Sequence, residues 1–229
     1  MPEQLDIAVD GVTLRVRVWP AADATRPPVV LLPGTGETSD DWDVVASVLH
    51  SSRTVHAVSL RGHGDSDWPG RYSIQAMADD VAGLLGQLDG RPVDLVGHSL
   101  GGLVACAVAS ARPELVRRLV LEDVGVPHPR PAVTPPRPEG VLGFDWKVVE
   151  QVRPEIDDPD PRWPEVLARI AAPTLVVAGG ASSHVPQDSL DELVRTVRAG
   201  RLVTVDAGHL VHDARPDEFT DHLLTFLDA

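Results

Sequence analysis

One short stretch limits what this chain can become. An apolar β-type run, Val93-Asp94-Leu95-Val96, meets Gly97-His98-Ser99-Leu100-Gly101-Gly102, and an Ala- and Val-rich helical run follows from Leu103 to about Ala111. That is the strand–turn–helix pattern G-x-S-x-G, in which a serine occupies a sharp, strained turn with its Oγ projecting above a sheet. Glycines are needed at 97 and 101 because strand and helix backbones nearly touch there, leaving no room for a Cβ. The helix behind Ser99 aims free N–H groups and a positive dipole end at developing negative charge. Small residues would also serve a turn without chemistry, so a catalytic Ser99 requires a base and an oxyanion donor elsewhere.

The rest of the chain repeats a strand-then-helix rhythm. Leu5 to Val18 alternates apolar and polar residues around Asp10-Gly11, an edge hairpin with Asp-Gly as its turn. Val29-Val30-Leu31-Leu32 is apolar on both faces, as a central parallel strand covered by helices must be. A helix capped by Asp40 or Asp41 is expected to run to Leu49, and a strand from Thr54 to Leu60. Ser73 is placed to cap a helix reaching about Leu88, with Ile74, Met77, Val81, Leu84, Leu85 and Leu88 on one stripe. Further strands are expected at Arg118 to Asp123, Thr174 to Ala178 and Arg201 to Val205, with helices from about Ser189 to Arg198 and Pro216 to Leu227. The fold class is therefore α/β: one domain over residues 1–229, with a mostly parallel sheet of about eight strands and helices on both faces.

The rhythm breaks between 124 and 172. Prolines crowd Val126 to Pro138, removing N–H donors and regular structure. Two short helices are expected after them, about Phe144 to Gln151 and Trp163 to Ile170. Phe144, Trp146 and Trp163 are costly to leave in water, which favours a small lid over the strand ends, where such sheets bind ligands. The three aromatics are candidate substrate-binding residues.

Composition excludes several classes. A formal net charge of −14 argues against nucleic acid, since phosphate binding needs a basic face. The lone Cys106 permits no intrachain disulfide. No apolar run approaches a membrane span, so no membrane partner is expected and a cytoplasmic location is the default; a homo-oligomer stays open. No His/Cys/Asp spacing suggests a metal, and no Gly-rich loop has the spacing or lysine for a nucleotide, so no cofactor is expected.

A serine is a weak nucleophile without an adjacent base, itself oriented by a third group. His209, in Ala207-Gly208-His209, lies beyond the last strand and before the final helix, placed to reach back toward Ser99. His212 is expected to pack on or cap that helix. An oxyanion hole needs two backbone N–H groups: Leu100 supplies one, and Thr35 is the natural second because Pro33-Gly34-Thr35-Gly36 turns sharply at the end of a neighbouring strand.

With these pieces in place, the chain resembles the α/β-hydrolase fold superfamily over nearly its whole length. Gly97-His98-Ser99-Leu100-Gly101-Gly102, Leu60-Arg61-Gly62-His63-Gly64-Asp65-Ser66-Asp67 and Gly208-His209 carry the likeness, in the family's order and intervals. The resemblance implies an order of nucleophile, acid and histidine, with Ser99 and His209 as the outer two. It also implies a structural role for the Arg61–Asp67 loop. Two departures stand out. Pro33-Gly34 replaces the usual His-Gly of the oxyanion loop. Gly179-Gly180-Ala181-Ser182-Ser183-His184-Val185-Pro186 carries Ser182 where the family usually has its acid. Some members carry the acid one strand earlier, where this chain has Glu122-Asp123. Neighbouring strand residues face opposite ways, so at most one of the two points toward the histidine. Counting from Arg118-Leu119 puts Asp123 at the strand tip and selects it over Glu122, which stays the alternative. Asp206 is expected to face away from His209, and Asp188 to cap a helix.

The sequence thus points to a serine hydrolase of a small, mainly apolar acyl compound (ester, thioester or lactone), with catalytic Ser99, His209 and Asp123. A lyase or cofactor-free oxygenase using the same histidine, and a non-catalytic small-molecule binding protein on the same fold, are the alternatives, because fold does not decide function.

Overall fold

The computed structural model describes residues 2–21, 23–88, 90–133 and 135–229. Eight strands form one sheet: β1 (Glu3–Val9), β2 (Val12–Trp19), β3 (Val29–Leu32), β4 (Val55–Val58), β5 (Val93–His98), β6 (Val116–Glu122), β7 (Thr174–Ala178) and β8 (Gly200–Thr204), in spatial order β1-β2-β4-β3-β5-β6-β7-β8. β1 pairs with β2 and β2 with β4 antiparallel; every other pairing is parallel. The first two strands form the hairpin that Asp10-Gly11 announces, with Asp10 at φ +44° and Gly11 at φ +84°.

Among the described residues, eight α-helices connect and cover the sheet: α1 (Asp43–Leu49), α2 (Ile74–Gln87), α3 (Ser99–Ala111), α4 (Lys147–Asp157), α5 (Trp163–Arg169), α6 (Gln187–Thr196), α7 (Val211–Ala214) and α8 (Pro216–Leu227). Apolar strands bury residues on alternating faces. In β3, Val30 and Leu32 join the core under α2 and α3, while Val29 and Leu31 join a second core with Trp42, Phe219 and Phe226 under α1 and α8. β6 divides its side chains the same way, Leu119 and Leu121 against Val120. This two-sided burial is what an all-apolar parallel strand requires. It also means that Glu122, the next residue in phase with Val120, points toward the α1/α8 side.

Several boundaries differ from those expected. Neither Asp40 nor Asp41 caps the first helix. Thr38 does, accepting the Asp40 N–H at 3.2 Å, while Asp41 returns the favour to the Thr38 N–H, and a 3-10 turn over Ser39–Trp42 leads into α1. Ser73 does cap α2, accepting the Ala76 N–H at 3.0 Å. Asp188 lies inside the first turn of α6 rather than capping it. In the lid, α4 begins at Lys147 and runs to Asp157, later than the Phe144 to Gln151 expected. Asp145 accepts the Lys147 N–H at 3.1 Å and the Tyr72 hydroxyl at 2.7 Å, fixing the start. Val148 and Val152, one turn apart, then anchor the helix in the core.

The Arg61 loop is structural. The ε nitrogen and one terminal nitrogen of Arg61 each donate to Asp80 at 2.5 Å, tying the loop to α2, and Asp67 accepts the Thr13 N–H at 2.7 Å. Among the described residues no helix is long and apolar enough to cross a membrane.

Candidate active site

Strand β5 runs into α3 through a backbone reversal at Ser99, whose φ is +49°. For a side chain larger than glycine that region is strained, and such strain concentrates at functional positions. The reversal forces close approach: a Cβ on Gly97 would lie 2.4 Å from the Gly101 carbonyl oxygen, and one on Gly101 would lie 2.5 Å from the carbonyls of Leu32 and Pro33. Ser99 is the first residue of α3 and is half-buried.

Asp123 also has a left-handed backbone, φ +48°, immediately past the end of β6. The turn takes it out of phase with Glu122 and brings its carboxylate beneath the loop after β8. One carboxylate oxygen accepts the Gly179 N–H at 2.8 Å; the other accepts His209 Nδ1–H at 2.7 Å and the Ser183 hydroxyl. Burial pushes the Asp123 carboxyl up, but donation from His209, Ser183 and Gly179 outweighs it and holds the group below the usual carboxylate range. The acid is therefore ionised, and it fixes the His209 proton on Nδ1, leaving Nε2 for the pocket side.

Ser99, Leu100, Thr35, Asp123 and His209 all line one cavity of about 490 Å³. Ser99 and His209 share this cavity without a direct hydrogen bond, a contact that commonly tightens only around substrate. Leu100 is the second residue of α3, so its N–H has no partner one turn back in the helix. Thr35 is exposed at the cavity edge.

Ser182, in the family's usual acid position, turns away and donates to Asp206 at 2.9 Å, which leaves Asp206 off His209 as expected. Of the lid aromatics, Trp146 lines the cavity. Phe144 and Trp163, expected there too, do not. Phe144 stacks on His63, with ring centres 5.6 Å apart, where the segment before α4 meets the Arg61 loop. Trp163, almost fully buried, packs into the core and borders a separate cavity with Ile74 and Ala107. Their apolar surface serves to attach the lid.

Two features escape sequence reasoning. The first is what supports the oxyanion loop in place of the family's histidine. Glu37 accepts the Gly34 N–H at 2.7 Å and His98 Nδ1–H at 2.9 Å on the same oxygen, while His98 Nε2–H donates to the His209 carbonyl at 3.0 Å. Both ring nitrogens of His98 face acceptors, so the ring is an imidazolium linking oxyanion loop, elbow and histidine loop. Burial pushes this His98 down, but the carboxylates of Glu122 and Glu37 prevail and bring it up to about 9. The second is a buried twin of the Asp123–His209 pair. Glu122 accepts both the backbone N–H of His212, at 2.8 Å, and His212 Nδ1–H. The His212 ring stacks on Trp42, centres 4.3 Å apart, and meets Phe219 of α8 edge-on.

Known proteins similar to this chain are numerous. The chain is 28% identical to the mouse sn-1-specific diacylglycerol lipase ABHD11, across 90% of this chain and 82% of that protein. Its structure matches a hydrolase from Pseudomonas aeruginosa PA01 with a TM-score of 0.83 at 28% identity, covering 100% of this chain and 98% of that one. It also matches the enol-lactonase of Burkholderia xenovorans LB400 with a TM-score of 0.88 at 24% identity, covering 98% and 100%. The profile of the alpha/beta hydrolase fold matches residues 27–147, more than half of the chain, and with the elbow, the eight-stranded sheet and the Asp123–His209 pair in place, this protein belongs to the alpha/beta hydrolase fold family.

Proposed function

We propose that this protein is a serine hydrolase that cleaves a small, mainly apolar carboxylic ester, thioester or lactone through an acyl-enzyme. Relatives named lipase and hydrolase support ester hydrolysis as the general activity. The observation that carries the mechanism is the strained Ser99 facing the same cavity as His209, whose Nδ1–H is held by the buried carboxylate of Asp123.

In the reaction so read, Ser99 Oγ attacks the acyl carbon as its proton passes to His209 Nε2. The carbonyl π electrons move onto oxygen, and the amides of Leu100 and Thr35 receive the resulting anion. The tetrahedral species collapses, the alcohol, thiol or ring oxygen leaves with the proton from His209, and the acyl group stays on Ser99. Water, deprotonated by His209, then attacks the acyl-enzyme and restores Ser99. Asp123 stabilises the imidazolium formed in each half. Val126, Val149, Val152 and Trp146 give the cavity apolar walls, which suits an acyl chain of modest size.

The binding-protein alternative drew its support from Ser182 standing in the usual acid position; the hydrogen bond from His209 to Asp123 supports the hydrolase reading over it. The lyase and oxygenase alternatives use the histidine without an acyl-enzyme. A fluorophosphonate probe should label Ser99 and an aryl ester should be turned over, while Ser99→Ala should lose both, with kcat falling by about 10⁴–10⁶. Retention of a tenth of the turnover by Ser99→Ala would end the acyl-enzyme reading.

A further inference from the structure

The lid contributes more than apolar walls. Arg130, from the Pro-rich segment, and Arg153, from α4, both line the cavity that holds Ser99 and His209. Each donates its Nε–H to Asp157, Arg130 at 2.6 Å and Arg153 at 2.8 Å, and Asp157 also accepts the Val133 N–H at 3.1 Å. Their terminal Nη groups make no hydrogen bond among the described residues, and both side chains keep a third or more of their surface exposed. Asp157 itself is buried.

The charge count is uneven. Two guanidiniums meet one carboxylate, leaving one positive charge at the lid end. Burial acts against the Asp157 charge, yet Arg153 and Arg130 hold its carboxyl down at about 2, so the acid is ionised at any ordinary pH. The acids that line the cavity itself, Glu37 and Asp123, are hydrogen-bonded to His98 and His209. A chain of net charge −14 therefore sets two guanidiniums against one carboxylate at the lid end of the cavity that holds Ser99.

Resting on the serine-hydrolase reading, we propose that the substrate carries a carboxylate in addition to its scissile acyl group, and that Arg130 and Arg153 bind it. A guanidinium presents parallel N–H groups that match a carboxylate's two oxygens, and Asp157 pre-orients both forks by holding their Nε atoms. The same Asp157 contacts brace the Pro-rich segment against α4, so the anion site and the lid clasp are one structure. The apolar walls then serve as the spacer between Ser99 and the cation. Substrates of this description are half-esters, half-thioesters and lactones of dicarboxylic acids.

The test is equilibrium binding to Ser99→Ala protein, which needs no turnover. Monomethyl succinate, glutarate and adipate are each titrated against their dimethyl counterparts by calorimetry. At one spacer length or more the monoanion should bind about 10- to 100-fold tighter, the size expected for hydrogen bonds to a charged group. In Ser99→Ala protein also carrying Arg130→Gln and Arg153→Gln, that ratio should fall below about threefold, and Lys at both positions should restore part of it. Equal binding of mono- and diesters at all three lengths overturns the proposal on the unmodified lid, whether or not the glutamine protein folds. A ratio that survives the double replacement also overturns it. Loss of fluorophosphonate labelling would instead strike the hydrolase reading and leave the binding ratio standing.

Discussion

Two histidine–carboxylate pairs lie side by side at the end of β6, and their differences separate chemistry from architecture. Glu122 and Asp123 are adjacent in the chain; their partners His212 and His209 are three residues apart. Both carboxylates are fully buried and both accept from Nδ1. What differs is the far side of each ring. His209 keeps 21% of its side chain exposed and faces the cavity with Ser99, whereas His212 is 2% exposed and wedged between Trp42 and Phe219. The split begins in the backbone. Glu122 is still in strand phase and points to the α1/α8 core, while Asp123, at φ +48°, has left the strand. An identical pairing thus yields a candidate proton relay when one ring edge meets a cavity, and a structural tie when both edges meet protein.

The largest effect should come from the pair at the cavity. Asp123→Asn keeps the shape but lets His209 hold its proton on the wrong nitrogen, and kcat on an aryl ester should fall by about 10⁴. Circular dichroism should show the variant folded. Activity within tenfold of wild type would put His209 outside the proton path and erase the distinction between the pairs.

Glu122→Gln should do the converse. Oε1 can still accept from His212, but the charge that opposes desolvation of His98 is lost. Unfolding in urea should show a stability loss of about 2 kcal/mol, the scale of a hydrogen bond to a charged group. Turnover per folded molecule should stay within about threefold. A crippled but stable Glu122→Gln protein would exchange the roles of the two pairs.

How far these roles can be read from the sequence depends on whether their cause is local. The elbow announces itself because the reversal at Ser99 and the clash that Gly97 avoids with the Gly101 carbonyl both fall within five residues. The sheet does so because all-apolar runs such as Val29 to Leu32 have no other stable home. Strand counting reaches Asp123 for the same reason. The Glu122–His212 and Glu37–His98 contacts span 90 and 61 residues and follow no period, so no window contains them. Thr38 was hidden by two better-looking caps, Asp40 and Asp41, because the 3-10 turn shifts the helix start. Phe144 and Trp163 announce burial, but aromatic character alone cannot tell a cavity wall from a lid's underside.

The smallest effect tests what joins the two pairs. His98 touches both: its Nε2–H holds the His209 carbonyl, and its ring lies 4.6 Å from that of His209 and 5.5 Å from that of His212, with the carboxylates of Glu37 and Glu122 on either side. Its folded value, about 9, stands above the ordinary 6.5. A raised histidine contributes stability that is fully present below pH 6.5 and lost as pH rises through about 9. Between those limits the folded state binds at most one extra proton there, so stability should fall by no more than about 1.4 kcal/mol per pH unit. His98→Gln should flatten this alkaline slope in urea titrations from pH 7 to 9.5. Glu122→Gln should move the slope to lower pH, because Glu122 is the strongest attraction that keeps His98 charged. Cys106 and Tyr72, both pushed up to about 12 in the fold, ionise from 9.0 and 10.0 in the unfolded chain and steepen the upper end of the slope. They do so equally in both proteins, so the contribution of His98 is the difference between wild type and His98→Gln, read most cleanly from pH 7 to about 8.5. An unchanged slope in His98→Gln would mean that His98 is neutral in the fold. The ring could then donate to only one of its two acceptors, and the tie between oxyanion loop and histidine loop would be broken on one side.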